Sequence, residues 1–160
     1  MSEGDGRDDC LGKALDLLAR RAHFRGELRR KLAARGFGPD SIEAALARAS
    51  ELGYLGSEEQ LAVAFARERQ ERRGLGRSRI AQELARRHAT PEAIEAALAD
   101  VDPEAELARA REAAARWARH GSGAAALARH LARKGFARSV IFRVSREFAP
   151  DGEELPTDGD

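Results

Sequence analysis

The 160-residue sequence predicts an all-α protein built from three tandem three-helix repeats in an elongated, curved arrangement. Three observations carry that expectation. The composition holds 33 Ala and 25 Arg against eight aromatic residues, a mixture rich in helix formers and poor in β-branched residues. Apolar residues recur at helical spacing rather than in alternation. The chain also repeats itself with a period near 50, the mark of stacked units whose faces cannot be buried singly.

The repeat is visible residue by residue. At an offset of 52, Leu28 lies over Ile80, Leu32 over Leu84, Pro39 over Pro91, Ile42 over Ile94 and Leu46 over Leu98, and the string IEAAL occurs in both copies. A third copy follows 47 residues later, with Leu127, Leu131, Phe136 and Ile141 beneath Ile80, Leu84, Ala89 and Ile94.

The elements follow in order. Leu11, Ala14, Leu15, Leu18, Ala19 and Ala22 give the first helix one apolar face. Leu28 and Leu32 mark a short second helix, stopped near Gly36, which accepts a left-handed backbone. Pro39 opens the third, where a first turn tolerates proline, and Ile42, Ala45, Leu46 and Ala49 form its stripe. In the second repeat Ser57 and Gln60 have capping-box spacing ahead of Leu61, Ala64 and Phe65. Gly74 and Gly76 interrupt before Ile80 and Leu84, and Thr90-Pro91-Glu92 starts a further helix. Asp102-Pro103-Glu104 opens the third repeat, where Leu107, Ala110, Ala114 and Trp117 face inward. Gly121-Ser122-Gly123 breaks it, and Ile141, Val144 and Phe148 close the last helix. The expected organisation is an acidic flexible segment 1–10, repeats at 11–55, 56–101 and 102–149, and an acidic disordered tail 150–160.

The net charge of +1 conceals a partition. Residues 1–9 sum to −3 and residues 147–160 to −6, leaving +10 on residues 10–146. A basic body between acidic ends suits an anionic partner. No apolar run approaches a membrane span, the acidic N-terminus lacks the layout of a secretion signal, and a single cysteine fits a reducing cytoplasm.

Catalytic chemistry has no candidates. His23, His88, His120 and His130 show no zinc-ligand spacing, Cys10 sits apart from them near an acidic, frayed end, and no phosphate-binding loop of the GxxxxGK type occurs. No cofactor, metal or enzymatic activity is expected.

A binding constellation does stand out. Arg67 to Arg79 reads RERQERRGLGRSR, six Arg and two Glu in thirteen residues. Arg69, Arg72 and Arg73 leave the end of one helix, and Arg77 and Arg79 lie across the glycine turn. Arg29, Arg30 and Lys31, with Arg25, form a second cluster in the first repeat. Guanidinium forks match phosphate and carboxylate geometry, so the two clusters are candidate anchors for a charged lattice. Trp117 and Tyr54 read as core or seam residues, so base stacking is not the expected contact.

The strings ELRRKLAARGF at Glu27–Phe37, IEAALARASELGYL at Ile42–Leu55, and RRGLGRSRIAQEL leading to Leu84 resemble the RecX family of recombinase regulators. The resemblance covers residues 11–148. Three departures stand out: Gly56-Ser57 where acids are common, His88-Ala89 in place of a Gly-hydrophobic pair, and Gly26 where Ser is usual. The resemblance implies a cytoplasmic, non-enzymatic protein of three tandem three-helix repeats that binds the RecA recombinase and its filament on single-stranded DNA; a monomer is expected. It also implies damped strand exchange, ATP hydrolysis and co-protease function, hence a role in DNA repair and the SOS response. Bare single-stranded DNA is a further candidate partner. Two other readings remain open: a helix-turn-helix reader of duplex DNA, and a repeat scaffold for an acidic protein. The former sits badly with acids at Asp40 and Glu92, where a recognition helix would meet phosphates.

Overall fold

A computed structural model describes the backbone of residues 3–148, with side chains from residue 9 onward. Within them are nine helices and no strand: α1 (Glu3–Arg20), α2 (Arg25–Ala33), α3 (Pro39–Glu51), α4 (Glu58–Arg73), α5 (Arg77–Arg86), α6 (Pro91–Ala99), α7 (Pro103–Trp117), α8 (Ala124–Lys134) and α9 (Arg138–Phe148). The tail 150–160 lies outside the described residues. Two compact units divide the chain, Met1–Ala64 with Leu84–Ala97 and Phe65–Glu83 with Leu98–Asp160, and the division runs through α4, α5 and α6.

The helix boundaries obey the expected punctuation. Ser57 Oγ accepts from the Gln60 N–H at 3.3 Å, Thr90 Oγ1 from Ala93 at 3.2 Å and Asp102 Oδ2 from Ala105 at 3.0 Å. Each satisfies a first-turn donor that has no intrahelical partner. Pro39 and Pro103 occupy the first turns of α3 and α7. Gly36 and Gly135 take left-handed backbones (φ +89° and +84°) where α2 and α8 stop. His88 does the same after α5 at φ +58°, a conformation that a side chain tolerates poorly.

In the first unit α1 packs chiefly on α3, with α2 against both. Its core joins Cys10, Ala14 and Leu17 to Leu28, Leu32, Ile42, Leu46 and Leu55. The α1 face is therefore centred on Cys10, Ala14 and Leu17, with Leu11, Leu15 and Leu18 flanking it, while Ala19 and Ala22 are exposed. The helix ends at Arg20, leaving Ala22 beyond it, and packing against α3 and α2 selects which face is buried. Cys10 is thus a core residue instead of one near a frayed end. Burial, and then the charge of Asp9, push its thiol pKa up.

In the second unit Leu107, Ala110 and Ala114 of α7 meet Leu127, Leu131, Phe136 and Val144, with Trp117 and Ile141 packed at the edge. Two expected stripes shift. On α4 the buried residues are Ala62, Phe65 and Ala66, while Leu61 is half-buried and Ala64 exposed. On α9, Val144 and Ser145 are buried, but Phe148 is exposed. Tyr54, expected in a core or seam, is 61% exposed beside Leu52.

One joint occurs once in each unit. The first N–H of α2, at Arg25, donates to Glu58 Oε1 of α4 at 2.7 Å. The first N–H of α5, at Arg77, donates to Glu106 Oε1 of α7 at 2.9 Å. These donors are 52 residues apart, the offset of the sequence repeat. A carboxylate from the next repeat thus supplies the cap that each helix lacks in its own loop. The joints are tight: a Cβ on Gly26 would stand 2.7 Å from the His88 carbonyl, and one on Gly76 2.4 Å from the Gly135 carbonyl.

Candidate nucleic-acid interface

The end of α4, the glycine turn and the start of α5 gather three of the eight expected anchors, Arg69, Arg73 and Arg79, around one acid. Glu83, nearly buried, lies 2.8 Å from Arg69, 3.2 Å from Arg73 and 3.5 Å from Arg79. Burial alone would raise its pKa. The hydrogen bond from Arg69 and the charges of Arg73, Arg69 and Arg79 outweigh that and hold the carboxyl below its ordinary range.

Arg69 is largely consumed by the fold, since it also pairs with Glu68 and its guanidinium stacks 4.3 Å over the Phe65 ring. Arg77 is consumed too, its side chain donating to the Leu98 carbonyl at 3.3 Å. Arg72 is different: 79% exposed, with Glu68 no closer than 3.9 Å.

Arg73 and Arg79 face a cavity of about 450 Å³ walled also by Leu75, His130, Arg133 and Lys134. Lys134 Nζ donates to the Arg73 carbonyl at 3.1 Å. Burial first, then the charges of Arg116 and Arg73, push its ammonium pKa down. Burial, then Lys134 and Arg133, do the same to His130, which is neutral at pH 7. Arg73, Arg79, Arg133 and Lys134 therefore share one cavity wall, and of these Arg73 and Arg79 pair with Glu83, which Arg69 shares. Neighbouring cations that push the Lys134 pKa down mark a positive potential that an anion relieves.

In the other unit, Arg29 forms a two-pronged pair with Glu43 at 2.6 and 3.2 Å. Arg30 donates to His88 Nε2 at 3.0 Å, and Lys31 to His23 Nε2 at 2.9 Å. Lys31 also lies 3.4 Å from the buried Glu27, which Arg21 and Arg87 bind as well.

Sequence reasoning missed Arg133, Lys134 and His130 on the cavity wall. The repeat register could have found the first two. Lys134-Gly135-Phe136 falls beneath Arg35-Gly36-Phe37, and Arg133 beneath Arg86.

Comparison with known proteins places this geometry. Residues 10–48 match the family model of the first three-helix domain of RecX, and residues 57–98 that of the second. The regulatory protein RecX of Deinococcus radiodurans is 37% identical over 92% of this chain and 74% of its own length. That of Halorhodospira halophila is 37% identical over 98% and 99%. The chain belongs to the RecX family. The crystal structure of RecX from Lactobacillus salivarius shares the RecX fold with a TM-score of 0.80 at 19% identity, covering 91% of this chain and 97% of that one. In this RecX chain no described helix is long and apolar enough to cross a membrane.

Proposed function

We propose that this RecX protein acts without catalysis as a cytoplasmic regulator that binds the RecA filament on single-stranded DNA and lowers its recombinase, ATPase and co-protease activities. The observation that carries the proposal is the cationic cavity of Arg73, Arg79, Arg133 and Lys134, with Arg72 exposed beside it. Its members combine guanidinium forks with an ammonium, donors suited to phosphates and to surface carboxylates. Arg72, Arg73 and Arg79 carry the contact. Arg69 and Arg77 position them, and Arg29, Arg30 and Lys31 are supporting contacts.

The test is binding of the full chain to RecA assembled on a labelled oligonucleotide, comparing wild type with Arg72→Glu/Arg133→Glu. Both side chains are exposed and neither joins a buried carboxylate, so helicity holds while affinity falls about tenfold or more. Undiminished affinity in the double variant removes these residues as anchors.

A further inference from the structure

We infer that a second cavity, in the first unit between the end of α1 and α2, binds a compact, multiply charged phosphate such as pyrophosphate or the polyphosphate tail of a nucleotide. The hollow measures about 350 Å³ and is walled by Leu17, Arg20, Arg21, His23, Lys31 and Arg35. Of these, only Lys31 belongs to the clusters that the sequence singled out.

Four cations converge here. Among the described ion pairs, Arg21 and Lys31 reach a carboxylate, Glu27, which is buried and shared with Arg87 as well. The negative end of α1 adds about half a charge, too little to balance them. Arg21, Lys31 and Arg35 are also held in place. Arg35 Nη1 donates to the Lys31 carbonyl at 2.8 Å. His23 Nδ1 lies 2.9 Å from the Arg21 carbonyl, to which it donates, so Nε2 accepts from the Lys31 ammonium at 2.9 Å. A neutral ring thus steers Lys31 without adding a charge of its own, and burial keeps that ring neutral.

The convergence favours a compact ligand. A nucleic-acid strand spreads its charges along its length, whereas cations around one hollow are neutralised together by adjoining phosphoryl groups. Arginine forks and an oriented ammonium supply the donors those oxygens require.

The test titrates the full chain with pyrophosphate at low salt and neutral pH, following the His23 ring by NMR. A parallel arm uses single-stranded oligothymidylate. The expected result is a saturable His23 shift with pyrophosphate, weakened about tenfold in Arg20→Ser/Arg35→Ser, whose far-ultraviolet dichroism stays unchanged. Arg133→Glu, in the other unit, leaves the titration as it is. No shift at millimolar pyrophosphate, equal binding by the double variant, or a shift with the oligonucleotide alone would each overturn the assignment. None of these outcomes depends on RecA.

Discussion

Glu27 shows how far a single side chain can depart from its sequence reading. In the string ELRRKLAARGF it resembles any solvated acid, yet it is nearly buried and binds Arg21, Lys31 and Arg87. Burial would raise its pKa, but hydrogen bonds from Arg21 and Arg87 and their charges bring it down to about 2. A drop from the ordinary 4.5 is worth roughly 3 kcal/mol of folding stability. That stability is present above about pH 4.5 and is lost as pH falls toward 2. Glu27→Gln should therefore cost about 3 kcal/mol in urea unfolding at neutral pH, and the loss should shrink in acid. A cost below about 1 kcal/mol would show that the cluster is solvated.

The histidines respond at higher pH. His23 faces Arg21, Glu27 and Lys31, with Arg20 and Arg35 on the same cavity wall. His130 faces Lys134 and Arg133, shares its cavity with Arg73 and Arg79, and has the Trp117 ring 6.5 Å away. Both fold with pKa values below 6.5, so the unfolded chain takes up these protons first. Stability is full above about pH 6.5 and declines as pH falls through it. His23→Gln/His130→Gln should flatten that slope in thermal melts between neutral and mildly acidic pH. An unchanged slope would mean that neither ring carries it.

At the scale of elements, most of the helical punctuation was legible. Thr90, Asp102, Pro39 and Gly36 each do locally what their chemistry dictates, so one sequence suffices to read them. The stripes of α1 and α4 were less legible. Leu, Ala and Cys on adjoining faces satisfy helical periodicity in more than one phase, and packing against a partner helix selects among them. The carboxylate joints could not be read at all, because Glu58 and Glu106 act on donors 33 and 29 residues away.

Glycines that look alike in sequence meet different demands in the structure. Gly135 needs both its left-handed backbone and its missing Cβ, which would meet Arg79 at 2.3 Å. Gly36 needs only the backbone, since nothing stands within 4 Å of its Cβ position. Gly135→Ala should cost about 2 kcal/mol or more and Gly36→Ala about 1 kcal/mol in chemical denaturation. Equal costs would mean that the α5–α8 approach relaxes without penalty.

At the scale of the whole molecule, +10 on residues 10–146 pointed to an anionic partner, and the repeat and the RecX resemblance fixed the fold class. Charge counting could not separate the arginines that hold helices together from those left for a partner. In the Arg67–Arg79 string Arg69 and Arg77 serve the fold, Arg67 pairs with Asp100 at 2.9 Å, and Arg72 stays open. That sorting depends on where Glu83, Asp100 and the Leu98 carbonyl fall in space. If Arg72, Arg73, Arg79, Arg133 and Lys134 meet phosphates, binding to bare single-stranded DNA should weaken with salt at a log–log slope of about −3 to −4. A slope near zero would favour a protein surface as the main contact.

The most direct test of the account is RecA ATP hydrolysis on single-stranded DNA with the full chain added up to stoichiometric excess. Wild type should lower the steady-state rate, with Arg72→Glu/Arg133→Glu needing about tenfold more protein for the same effect. A rate unmoved by excess wild-type protein would contradict the central claim.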